Sequence, residues 1–242
     1  MGSVAEMDAL EQHLSLQAQR SQDFFWNRLR WELVSDGLDG DCVVDVGAGP
    51  GFLGEFLSQR HPQVDYWFVE PIEALERRLV DRYGEEANRR DRDFAGASHV
   101  TLMDVLEHQE DDCAFMAELA EKMDPGATLL LTVPAMPSLW SAWDTMLGHY
   151  RRYTKASLHR ATGLTPLQIE EESYIFPELI PLGMVRRLRL RDDDGVGAED
   201  AEFPQLSKPL NEALYRLGRG TMRLRRHWPA GTSLFARLRH MG

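Results

Sequence analysis

The pattern of apolar and polar positions changes period along this chain. Over residues 5–35 the apolar side chains Leu10, Leu14, Phe24, Phe25, Leu29 and Leu33 recur at helical spacing and predict one or two amphipathic helices. Beyond Gly40 the period shortens. CVVDV (42–46) predicts a strand, GFLGEFLSQRH (51–61) a helix, VDYWFVE (64–70) a strand, and IEALERRLVDRYG (72–84) a helix closed by Gly84. HVTLMDV (99–105) and TLLLTVP (128–134) predict two more strands, the second buried on both faces, with a helix over CAFMAELAEKM and the turn DPGA between them. Strands alternating with helices imply a parallel, doubly wound α/β sheet. A further strand belongs between Glu85 and Gly96, but the charges of EEANRRDRDFAG predict that it is short or degenerate.

After Pro134 the pattern breaks into an aromatic and polar run, AMPSLWSAWDTMLGHYRRYT, read as a lid or pocket wall. A helix over KASLHRATG, a strand over PLQIEEESYIF and a helix over PELIPLGMVRRLRL follow, then RDDDGVGAEDAEF, whose acids and glycines predict a mobile loop. A helix from about Pro209 to Arg226 and a last strand, TSLFARLR, close the chain. The expected organisation is an N-terminal helical cap over 1–36 and one main domain over 37–242, with a lid around 135–160 and a helical insertion around 177–226.

Composition narrows the classes of function. With 242 residues, 43% hydrophobic and 27% charged, the chain has the make-up of a folded domain with a sizeable core. Its 27 basic and 39 acidic side chains give a formal charge of −12, which argues against a general grip on nucleic acid. Arginines do cluster late, at Arg186, Arg187, Arg189 and Arg191. That helix could rest on an anionic membrane, but packing on the sheet with the arginines in water is the favoured reading. Cys42 and Cys113 lack the spacing of a metal or redox pair, and neither a signal segment nor a spanning run of ~20 apolar residues is seen. A cytoplasmic protein is expected.

The chemistry-bearing stretch is VVDVGAGPGFLGEF (43–56). A buried strand ends on Asp45 and Val46, and the backbone then turns on Gly47, Ala48, Gly49, Pro50 and Gly51, where side chains would otherwise keep a ligand away. A helix N-terminus follows, whose NH groups can donate to a carboxylate or phosphate, while Asp45 can accept from a ligand. The spacing is GxGxG, with Phe52 where a dinucleotide fingerprint carries its third glycine. Glu70 ends the second strand, 23 positions after Gly47, where a carboxylate can hold the two hydroxyls of a ribose.

In these residues the chain resembles the class I S-adenosylmethionine-dependent methyltransferases. VVDVGAGPG looks like their first motif, FVEP like the acidic second, and LMDVLEH and DPGATLLLTVP like their fourth and fifth strands. FFWNRLRWEL, DVLEH and SLWSAWDTMLGHYRRYTKASL resemble a bacterial branch acting mostly on small-molecule or lipid-related acceptors. The resemblance implies a Rossmann-like sheet of seven strands, the last antiparallel, with S-adenosylmethionine over the C-terminal edge and S-adenosylhomocysteine as product. It places Asp45, Gly47, Ala48, Gly49 and Gly51 along the methionine portion and Glu70, followed by Pro71, at the ribose. Met103 and Asp104 would lie under the sulfonium with Val105 also at the cofactor, Asp93 beside Phe94 at the adenine, and Trp26 and Arg30 at the cofactor from the cap, with Arg30 pairing its carboxylate.

Methyl transfer from a sulfonium is an in-line displacement, so alignment and exclusion of water do much of the work, and a base helps where the acceptor must lose a proton. His149 is the leading candidate, with Asp144 orienting it or acting in its place, and Tyr153 a further candidate. Trp140, Trp143 and Arg152 are the expected acceptor wall, Arg152 suiting an anionic group. Asp104, Glu107 and His108 form DxxEH, which resembles the metal set of some members of the class. Many members carry the Glu-His pair without metal, and the adopted reading is a histidine that packs near the cofactor, with no metal ligand assigned. The expected function is transfer of a methyl group to oxygen or nitrogen of a small-molecule acceptor, possible anionic or lipid-linked ones included; a nicotinamide oxidoreductase and a non-catalytic scaffold of the same fold are the rivals.

Overall fold

A computed structural model describes residues 24–189 and 206–242. The expected helix ahead of Phe24 and the acidic loop after Leu190 lie outside the described residues. Eight α-helices and six strands follow in the order α1 (Phe25–Gly37), β1 (Cys42–Val46), α2 (Phe52–Arg60), β2 (Asp65–Val69), α3 (Glu73–Tyr83), β3 (His99–Met103), α4 (Asp112–Lys122), β4 (Thr128–Pro134), α5 (Ala142–Met146), α6 (Lys155–Thr162), β5 (Leu167–Ile175), α7 (Ile180–Arg189), α8 (Lys208–Arg223) and β6 (Ser233–His240).

The strands form one mixed sheet in the order β2-β1-β3-β4-β6-β5. β1 to β4 are parallel, and β6 runs antiparallel to both β4 and β5, so the C-terminal ends of β1 to β5 share one edge with the start of β6. The middle strands β1, β3 and β4 are enclosed on both faces, which is why they read as unbroken apolar runs. One core cluster on Val44, Leu102, Leu129, Leu131 and Met116 fills one side of the sheet, and a second, on Phe25, Leu29, Val43, Leu130 and Phe235, lies under α1 and α8.

The seventh strand does not form among the described residues. The segment expected to supply it is a short 3-10 turn, Glu85–Ala87, followed by a single bridge from Asn88 to Phe68 on β2. The physical reason is visible in the side chains: from Arg89 to Asp93 the run carries five charges and nothing apolar to cover a sheet face.

The late arginines also depart from expectation. Arg186 lies with its guanidinium 3.5 Å from the centre of the Trp143 ring, and Arg187 donates to the Ser138 carbonyl at 2.6 Å, while Leu182, Met184, Val185 and Leu188 are exposed. Burial pushes the Arg186 pKa down to about 10. Arg186 thus packs on the lid near the buried Asp144 and is not left in water.

A tight crossing joins β5 to β6. A Cβ added at Gly231 would stand 2.2 Å from the Ile175 carbonyl oxygen and under 3 Å from two further backbone atoms of that residue. Backbone cannot rotate away as a side chain can, so Gly231→Ala is expected to destabilise the fold by about 3 kcal/mol. In a thermal melt the transition should fall by roughly 6–12 °C.

Candidate active site

Strained backbone marks the shared edge of the sheet. Asp104 (φ 57°), Met136 (φ 58°) and Phe176 (φ 57°) are the three non-glycine left-handed residues described, and each follows the end of a strand, β3, β4 and β5 in turn. Such conformations cost about 1–3 kcal/mol each and cluster where geometry serves a ligand. The glycine loop lies at the same edge, after β1.

In that loop Gly47, Gly49 and Gly51 all have positive φ, at 75°, 54° and 79°. A Cβ at Gly47 would fall 2.5 Å from Val105 Cγ2, and one at Gly51 2.4 Å from Leu79 Cδ2. Conformation and close approach therefore both require glycine there. Ala48 instead turns its methyl inward beside Phe68, Leu79 and Ala87. Glu70 faces the loop: its Oε2 accepts from the Gly49 amide at 2.7 Å and its Oε1 from the Ile72 amide at 2.8 Å, and it is only 2% exposed. Burial pushes its pKa up, and those two amides pull partly against the shift. Exposed Pro71 then turns the chain into α3.

Asp45 plays a different part from the one expected. It is buried beneath the loop, with Oδ1 accepting from the Thr101 hydroxyl at 2.7 Å and Oδ2 from the Tyr66 hydroxyl at 2.8 Å, so it braces β1, β2 and β3 together and offers the ligand no open face. Burial raises its pKa against both hydrogen bonds.

From α1, Arg30 forms an ion pair with Asp104 and lies 5.0 Å over the Trp26 ring, which in turn meets Phe176 edge-on at 5.8 Å. Asp104 also bonds Thr132 through its amide (3.0 Å) and its carboxylate (3.1 Å). Trp26, Arg30, Met103, Asp104 and Val105 are thus gathered at the loop's edge. Arg30, expected to pair with a ligand carboxylate, is paired within the protein.

Asp93 and Phe94 are not gathered there. Phe94 is sunk in the core with its amide on the Lys122 carbonyl, and exposed Asp93 accepts from the Ala95 amide, both near the N-terminal edge where β3 and β4 begin. Without a third strand, the chain has already crossed the sheet by residue 94, and these residues cannot meet an adenine at the opposite edge.

The lid run after β4 bears the titratable residues. Asp144, fully buried, accepts from His149 Nδ1 at 3.0 Å and from Arg152 Nε at 2.8 Å, and the Ser141 amide closes its remaining side at 3.0 Å. Burial pushes its carboxyl up, but His149 and Arg152 more than offset this and hold it below the usual range, as an anion. Asp144 is therefore an orienting group. His149 keeps 9% of its side chain exposed, and its ring meets that of His108 at 4.8 Å.

Three further expectations are corrected. Tyr153 is wholly buried, its hydroxyl donating to Asp112 at 3.0 Å, and burial beside that acid pushes its pKa up, so it is no base. Trp143 is covered by Arg186 and packs with Leu147, leaving half-buried Trp140 as the wall's accessible tryptophan. Arg152 is tied to Asp144 and, at 3.2 Å, to the Ala135 carbonyl. An open cleft of about 500 Å³ does lie beside it, lined by Glu110, Asp112, Arg151, Arg152, Ser157 and Arg160, away from the glycine loop.

Sequence reasoning weighed Glu107 only as part of DxxEH and assigned it no role. It is 1% exposed, neither carboxylate oxygen has a hydrogen-bond partner, and burial together with nearby Asp104 pushes its pKa well up. Its place in DVLEH, directly after a strand end, was the available signal.

Residues 17–171 match the family model described as a methyltransferase domain. The chain belongs to this methyltransferase family. No curated protein matches it. Among solved structures it is similar to a chain of the complex between the Haloferax volcanii Trm112 methyltransferase activator and a methyltransferase, at 18% identity, TM-score 0.58, and 99% and 98% of the two chains covered. It is also similar to a SAM-dependent methyltransferase from Archaeoglobus fulgidus (12% identity, TM-score 0.54, 92% and 96% covered). A third likeness is to Haemonchus contortus phosphoethanolamine N-methyltransferase 2 in complex with S-adenosylmethionine (15% identity, TM-score 0.56), where 90% of this chain covers 53% of the other. At such identities the likeness is one of fold, the Rossmann-like methyltransferase fold, here with six strands among the described residues. The methyltransferase is an enzyme of the class I type and its cofactor is S-adenosylmethionine, so the nicotinamide and scaffold readings are set aside. Among the described residues no helix of this methyltransferase is long and apolar enough to cross a membrane.

Proposed function

We propose that this methyltransferase transfers a methyl group to an oxygen or nitrogen of a small-molecule acceptor held between the glycine loop and the lid run around 135–160. The observation that carries the proposal is Glu70 turned onto the Gly49 amide: a carboxylate and a bare backbone face one another at the end of β1 and β2. The loop takes the methionine portion and Glu70 the ribose, each of its oxygens keeping a lone pair beyond the amide it already binds. Trp26 and Met103 flank the sulfonium, and the chemistry that the bound cofactor supplies is an activated methyl group. Trp140 borders the acceptor.

His149 is the group that takes the acceptor's proton. With Nδ1–H donated to Asp144, its Nε2 carries the free lone pair, and Arg152 keeps Asp144 anionic. The ion pair of Arg30 with Asp104 joins the α1 cap to the sulfonium end of the site, so docking of the cap and alignment of the cofactor are coupled.

The test of the cofactor face is thermal. Saturating S-adenosylhomocysteine should raise the melting temperature, since a ligand at 100 times its Kd adds about 2.7 kcal/mol, while NAD at equal concentration should leave it unchanged. A larger shift with NAD would overturn the reading.

A further inference from the structure

Glu107 is an unusual group to leave without a partner. The end of β3 and the lid bring it together with His108 and His149, so that one donor atom from each lies within 4.8 Å of the others. The cations near it are engaged elsewhere, Arg30 on Asp104 and Arg152 on Asp144. Both oxygens of Glu107 are buried and without a hydrogen-bond donor, facing two imidazoles. A buried carboxylate in that setting either stays protonated or receives a cation.

Two imidazoles and one carboxylate converging with an open fourth position form the donor set of zinc-type ions, whereas magnesium and calcium prefer oxygen alone. We propose that Glu107, His108 and His149 bind one divalent transition-metal ion of the zinc class. Ligands on a tetrahedral ion with bonds of about 2.0–2.1 Å stand about 3.4 Å apart, so a separation of up to 4.8 Å must close by up to about 1.4 Å, within reach of side-chain rotation. Asp144 supplies the outer support: by accepting from His149 Nδ1 at 3.0 Å it fixes the tautomer that offers Nε2. Asp104 is not a ligand, because Arg30 and Thr132 hold it.

With three protein ligands, a fourth position on the ion could hold an acceptor oxygen and favour its deprotonated form. In the loaded enzyme the ion thereby takes the place of His149 as the group that prepares the acceptor; in the metal-free enzyme the imidazole does so alone. The inference rests on the site reading only for that role. Binding itself is read with neither cofactor nor acceptor present, so its failure and the failure of the methyl-transfer reading are distinguishable.

The experiment titrates the tag-free full chain, stripped with chelator, with Co²⁺. One equivalent should bind with visible ligand-field bands of a low-coordinate nitrogen-oxygen site and no thiolate charge-transfer band, and Zn²⁺ should displace it. Loss of a first ligand should cost at least what loss of an outer partner costs, so Glu107→Gln and His149→Ala should each weaken Co²⁺ binding by about 100-fold or more. His108→Ala serves where Glu107→Gln does not fold, as judged by circular dichroism. The other described group with metal-like spacing, Asp111, Asp112 and Cys113, is the internal control, and Cys113→Ser should leave the titration unchanged. The proposal is overturned by no binding at millimolar Co²⁺, by a thiolate band lost in Cys113→Ser, or by undiminished binding in folded Glu107→Gln or His108→Ala.

Discussion

Glu70→Ala is expected to weaken S-adenosylhomocysteine binding by about 100-fold or more. Two effects add. The carboxylate is the acceptor for the Gly49 and Ile72 amides, at 2.7 and 2.8 Å, and with 2% exposure there is little water to replace it. Stranding a buried amide costs about 1–3 kcal/mol, and relaxation of the loop would spoil the three left-handed glycines whose backbone must approach the ligand. The proposed ribose contacts would also go, and hydrogen bonds to a charged group are worth about 1.5–3 kcal/mol each. Glu70→Gln keeps the shape but can accept through one atom only, and should recover part of the loss. Calorimetry reads both; wild-type affinity in Glu70→Ala would remove the ribose from this carboxylate.

The second large effect is on turnover. His149→Ala should lower kcat by about 10²–10⁴-fold, the range a positioned base supplies, while S-adenosylhomocysteine affinity changes little. The pH dependence carries the sign. A base works when unprotonated, so kcat/KM in the wild type falls on the acid side, and the variant should lose that limb. Asp144→Asn keeps the size, but with its oxygen left to His149 Nδ1 and Arg152 Nε its NH2 would meet the Ser141 amide, donor against donor, so it should cost about 10²-fold or more in kcat by loosening the ring's support. An unchanged pH profile in His149→Ala would assign proton removal elsewhere.

Much of this was legible in the chain. The alternation of apolar runs and helical segments gave the sheet, and the GxGxG spacing with Glu70 gave the glycine loop and the carboxylate that faces it, because both are local patterns set by backbone geometry. The charge run from Arg89 to Asp93 pointed to a short or degenerate strand within a seven-stranded sheet, and among the described residues only a turn and a single bridge form there. What that failure did to the neighbours was not legible. Once the third strand is gone, nothing local says on which edge Asp93 and Phe94 come to rest, and the structure puts them on the wrong one for adenine.

The lid was misread for a related reason. An aromatic, polar run looks like a pocket, but Tyr153 pairs with Ala135 across the end of β4 and drives its ring into the core, a tertiary contact without a sequence period. Arg186 covering Trp143 is likewise long-range. Asp45 could have been read better. An acid inside CVVDV, with the strand closed on both faces, needs internal partners, and Tyr66 and Thr101 stand on the adjoining strands to supply them.

The claim on which all else depends is that the bare backbone from Gly47 to Gly51, backed by Glu70, is where S-adenosylmethionine sits. Amide hydrogen exchange with and without saturating S-adenosylhomocysteine tests it directly. The account predicts that amides from Gly47 to Leu53 and at Ile72 slow by about tenfold or more, with Asp93 and Phe94 unchanged. Saturation of the protein by S-adenosylhomocysteine with no slowing at Gly47 to Leu53 would contradict it.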